Sequence, residues 1–119
     1  MNTLEFLSSL YENADQGYTQ VFSLPAKAAR AIPASDLGGL HDVLAAMPAA
    51  NDLYFSPGLS AAPRDERLST DDIIGIPALW VDIDIKNEHA HAKHNLPASI
   101  AEAMEILPDN MAPSIVVHS

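Results

Sequence analysis

Apolar residues along this chain fall into short runs that switch between helical and strand spacing. Leu7, Leu10, Tyr11 and Ala14 recur at i, i+3, i+4 and i+7, which predicts a helix over residues 3–13. Asn2 and Glu5 frame its start as a capping box. After Gly17, the run Tyr18-Thr19-Gln20-Val21-Phe22-Ser23-Leu24 reads as a strand rich in β-branched and aromatic residues, stopped by Pro25. A weaker strand is expected over 28–32, bounded by Pro33. Ser35 or Asp36 then caps a second helix whose apolar face carries Leu37, Leu40, Val43, Leu44 and Met47. A third strand is expected over 52–56, followed by a loop over 57–68 and a short helical turn over 71–74 capped by Ser69 or Thr70. Residues 78–85 form the next strand and 86–95 a polar loop. Pro97 suits the first turn of a helix reaching residue 107, with Ile100, Met104 and Leu107 inward. A last strand follows Pro113 over 114–118. Together these elements predict an α+β fold, a mixed sheet with flanking helices in one domain over 1–119.

The strand over 78–85, Ala78-Leu79-Trp80-Val81-Asp82-Ile83-Asp84-Ile85, carries the chemistry. Alternation sends Leu79, Val81, Ile83 and Ile85 to one face and Trp80, Asp82 and Asp84 to the other. The aliphatic face is expected to be buried in a central strand, with the two carboxylates about 7 Å apart at the backbone. A carboxylate in so apolar a strand needs a cation. Mg²⁺ or Mn²⁺, hard ions with a preference for oxygen, would fill that need at Asp82 and Asp84. The alternative is a strand end whose two carboxylates stand in water.

Sixteen acidic residues against six basic ones give a net charge of −10, which argues against a broad nucleic-acid-binding surface. A metal-dependent site escapes that objection, because its ions supply positive charge locally. The absence of cysteine excludes disulfides and thiolate metal sites. There is no apolar stretch of about 18 residues and no leader pattern at the N-terminus, so a soluble cytoplasmic protein is expected. The sequence ends directly on the last predicted strand, at Ser119, which predicts that the chain is part of a longer protein.

Several segments in order resemble one family. They are Gly17-Tyr18 with the strand ending Leu24-Pro25, then Asn51-Asp52-Leu53-Tyr54-Phe55, and then Pro77 through Asp84. Pro113-Ser114-Ile115-Val116-Val117-His118-Ser119 completes the series. The chain resembles the N-terminal portion of the archaeo-eukaryotic-type primase–polymerase superfamily, in its RepB-like phage and plasmid branch. The resemblance implies a nucleotidyltransferase of DNA replication in which Asp82 and Asp84 bind the catalytic Mg²⁺ or Mn²⁺. It also implies a DNA template and nucleoside triphosphates as partners of the parent protein, with a fused or associated helicase. Ser119 matches the first position of the second family motif. His118 precedes that motif and is not its histidine. The third motif's acidic residue is absent, so the fragment alone is expected to be inactive.

Other candidates compete with simpler explanations. Arg64 and Arg67 lie in the 57–68 loop, where guanidinium groups would suit a triphosphate. Otherwise they sit in solvent, paired with Asp65 and Glu66. His89, His91 and His94 have spacings that could hold Zn²⁺ or Ni²⁺, or belong to a solvated loop. Trp80 could stack on a base, or simply pack. Two further functions stay open, a nucleotide-sugar transferase with an Asp-x-Asp metal site and a non-catalytic acidic interaction domain. An exposed sheet edge would also permit a dimer.

Overall fold

Asn2 opens the fold as a hydrogen-bonded cap. Its side chain accepts from Glu5 N (2.9 Å), and the Glu5 carboxylate accepts from Asn2 N (2.8 Å). In the computed structural model, which describes residues 1–118, this cap starts helix α1, Thr3–Tyr11. The chain divides into two compact units, Met1–Leu79 and the stretch from Trp80 onward. Ser119, matched above to a family motif, lies outside the described residues.

The first unit is built around strand β1, Tyr18–Leu24. Strand β2, Ala28–Pro33, pairs with it antiparallel from Tyr18↔Pro33 to Ser23↔Ala28. Helix α2, Leu37–Ala46, follows, and the Asp36 carboxylate caps it by accepting from Gly39 N. On the other edge of β1, strand β3, Asp52–Phe55, covers residues 21–24. The two-residue strand β4, Leu59–Ser60, reaches Tyr18. Strand β5, Ile73–Gly75, pairs with β4, giving the order β2-β1-β4-β5 with β3 also on β1. The α+β class stands. The pairings among the described residues are all antiparallel, where a mixed sheet was expected.

The helical turn expected over 71–74 is present as a 3-10 turn, Thr70–Asp72, following Ser69. Two short strands, β4 and β5, occupy part of the expected loop and the residues just after that turn. Neither two nor three residues can display a period, so only their partners make them strands. Gly58 permits the first of them, since a Cβ there would meet Ile73 at 2.7 Å. Gly17 has φ +85°, a left-handed conformation that glycine adopts without a steric cost, and its carbonyl accepts from Ala34 N.

Leu7, Tyr11, Val21, Ile32, Ala34, Leu40 and Leu59 form the core, with α1 and α2 on the Val21 face of the sheet. Phe6 packs edge-on against Phe55 at 5.6 Å between ring centroids. The Tyr11 hydroxyl donates to Ser56 O (2.6 Å) and accepts from Thr19 Oγ1 (2.7 Å), tying α1 to the sheet from inside. Burial pushes its phenol above the ordinary range, with the Thr19 hydroxyl pulling the other way.

On the opposite face, Gln20 is only 3% exposed and organises the loop before β5. Its amide nitrogen donates to the carbonyls of Arg64 (3.3 Å) and Glu66 (2.7 Å), while its oxygen accepts from Leu68 N (3.0 Å). One side chain thus satisfies three backbone groups of a segment that has no ladder of its own. No helix among the described residues is long and apolar enough to cross a membrane.

Two consequences can be measured. Tyr11→Phe keeps the ring but leaves the Ser56 carbonyl short of its donor, and should cost about 1–3 kcal/mol in urea unfolding. A cost below a few tenths would remove Tyr11 as an internal tie. Gln20→Ala should release the 64–68 segment, so that trypsin cuts after Arg64 and Arg67 several times faster than in the parent chain. An unchanged digestion rate would mean that the loop is held by other contacts.

Candidate functional site

The second unit contains the two aspartates. Residues 81–86 have no ladder partner among the described residues and do not form the central strand expected. Leu79, Trp80 and Val81 are 80%, 64% and 62% exposed, whereas Leu79 and Val81 were expected to be buried. Ile83 and Ile85 are half-buried. The last expected strand, 114–118, likewise lacks strand pairing among the described residues. The physical reason is general: alternation and β-branching give a segment the capacity to be a strand, but partner hydrogen bonds make it one.

Helix α3, Ile100–Glu105, is shorter than the 97–107 expected. Ser99 caps it by accepting from Glu102 N, and Pro97 lies buried before the cap. Ala103 is buried on its inner side, while Ile100 is exposed and Met104 half-buried. Residues 81–87 and 115–118 and the α3 region line one cavity of about 430 Å³. Asp82, Asp84, His91 and His118 are among its polar lining groups.

Asn87 brings His91 into this group. Its side-chain oxygen accepts from the backbone N–H groups of His89 (3.1 Å) and Ala90 (2.7 Å), a local turn typical of asparagine. Asn87 N then donates to His91 O, and Lys86 N to Pro97 O, each at 2.8 Å. The turn sets His91 Nε2 3.6 Å from Asp84 Oδ1. Sequence spacing had grouped His91 with His89 and His94, but those two are exposed and do not line the cavity. The informative signal was Asn87, which folds the segment back.

Asp82 and Asp84 are both exposed, so the argument that burial forces a cation on them does not hold. What remains is donor chemistry. Two carboxylates at one cavity suit a hard divalent ion, and their exposure keeps desolvation cheap. Among the described residues no three His, Cys, Asp or Glu side chains gather closely enough to hold a metal. The pair therefore fits a weakly held ion that keeps most of its waters.

Arg64 and Arg67 belong to the first unit, on the segment that Gln20 holds. Arg64 Nη2 lies 3.1 Å from Asp72 Oδ1, and not on Asp65 or Glu66 as expected. The Asp72 carboxyl is held below its usual range by the backbone N–H and hydroxyl of Ser69, with Arg64 assisting, so it stays a partner for the guanidinium. Arg67 forms no ion pair among the described residues and stacks over Phe22, 5.5 Å from the ring centroid. No protein family, curated protein or solved structure matches the chain in any of the three comparisons made.

Proposed function

We propose that the chain serves metal-dependent nucleotidyl transfer in DNA replication, as a protein of the primase–polymerase kind, with Asp82 and Asp84 as the carboxylates that hold Mg²⁺ or Mn²⁺. The observation that carries this reading is the shared cavity. Residues 81–84, which include the two aspartates, and residues 115–118, both within segments singled out by the family resemblance, line it together. When bound, the divalent ions would lower the pKa of the attacking 3′-hydroxyl and hold the triphosphate. The chain's own part is to offer oxygen ligands and to orient them, with His91 beside Asp84 limiting that carboxylate's freedom. Arg64 and Arg67 belong to the first unit and take no part in this reading. A nucleotide-sugar transferase would be expected to open with a parallel βαβ unit, and the pairings described here run antiparallel.

Calorimetric titration tests the reading. Mn²⁺ should bind weakly, and a nucleoside triphosphate should bind only when Mn²⁺ is present. Asp82→Asn and Asp84→Asn should each weaken Mn²⁺ binding by about ten-fold or more, because ligand charge sets the affinity of such sites. Both carboxylates are exposed, so neither change should shift stability in EDTA by more than about 0.5 kcal/mol. Unaltered Mn²⁺ binding in both variants would overturn the assignment. Tighter binding of a uridine diphosphate sugar than of a triphosphate would favour the transferase instead.

A further inference from the structure

The face of β1 turned away from the helices carries an aromatic and cationic group that the metal reading does not use. Alternation places Gln20 and Phe22 on that face, and the register sets Tyr54 of β3 directly opposite Phe22. The two rings lie 6.4 Å apart between centroids, tilted by 51°. Arg67 stands over Phe22, and Tyr54 is 47% exposed. The group is rigidly supplied, because the buried Gln20 amide fixes the Arg67 segment from below.

We propose that Phe22, Tyr54 and Arg67 form a stacking site for single-stranded nucleic acid. A nucleobase laid on the exposed side of Tyr54 would stack there beside the tilted Phe22 ring, with the Arg67 guanidinium over Phe22 as the neighbouring positive charge for a phosphate. Exposed aromatic rings on an antiparallel sheet stack unpaired bases of any sequence, because every base has a π-face. Charge narrows the choice of ligand. Asp52 shares this face through its register with Leu24, Asp65 and Glu66 flank the loop, and the chain as a whole carries −10. Arg67 is thus the cation stacked on this aromatic group, set among several acidic neighbours, and stacking must supply most of the affinity. That combination admits a flexible single strand and selects against a duplex, whose bases are already stacked.

The site is independent of the metal reading, and the test keeps the two apart by working in EDTA. Fluorescence anisotropy with labelled oligothymidylate should show binding by the full chain with a shallow salt dependence, a slope of about −0.7 in log K against log salt for one phosphate contact. Tyr54→Ala should weaken binding by about ten-fold, the loss expected for one stacked base, while Tyr54→Phe retains it. Arg67→Ala should flatten the salt slope, and Arg67→Lys should restore the slope without the full affinity, since lysine lacks a planar group. The Asp82→Asn/Asp84→Asn double variant should bind as the parent does. Three results would overturn the proposal: no binding by the parent chain at low salt, equal binding by Tyr54→Ala, or duplex bound as tightly as single strand. Tyr54 is about half exposed, so its replacement tests the surface without emptying the core.

Discussion

Strand β1 has both of its backbone edges occupied, and the first unit depends on that arrangement. Strand β2 takes one edge, while β3 and β4 share the other. An edge of unpaired N–H and C=O groups is costly when buried, and Tyr18–Leu24 is mostly buried. Filling both edges lets Thr19, Val21 and Ser23 sit inside, where Val21 joins the core under α1 and α2. It also gives β4 the partner without which two residues would not make a strand.

Polar groups finish what the apolar core begins. Tyr11 carries a hydroxyl into the interior, where Ser56 and Thr19 satisfy it and fix the helix against the sheet. Gln20 does the same on the other face, trading three water contacts for three backbone contacts. Fully satisfied buried polar groups specify one arrangement, because any shift leaves a donor or acceptor unpaired. The positions of Arg64 and Arg67 follow from Gln20 more than from their own side chains.

The two carboxylates illustrate how exposure changes an argument. In a buried strand, Asp82 and Asp84 would demand a cation; in water they merely admit one. Their interest rests on sharing a cavity with residues 115–118 and with His91, whose approach to Asp84 is set by the Asn87 turn. A weak, largely hydrated ion is the chemistry this arrangement suits.

Local signals in the sequence determined the elements that stabilise themselves. The Asn2–Glu5 box, a cap at Ser35 or Asp36 and the run from Tyr18 to Leu24 were all legible, since each acts over a few residues. The α+β class followed from their order. Tertiary structure alone decided which extended segments became strands. Leu59–Ser60 and Ile73–Gly75 are strands through pairing, whereas residues 79–85, far richer in strand-forming side chains, have no partner among the described residues and stay outside the sheet. It likewise decided that Gln20 would be a buried clamp, that Arg64 would meet Asp72, and that His91 would meet Asp84. Each of those is a meeting between residues that the turns of the chain bring together, and no local pattern records which backbone edge or carboxylate will be within reach.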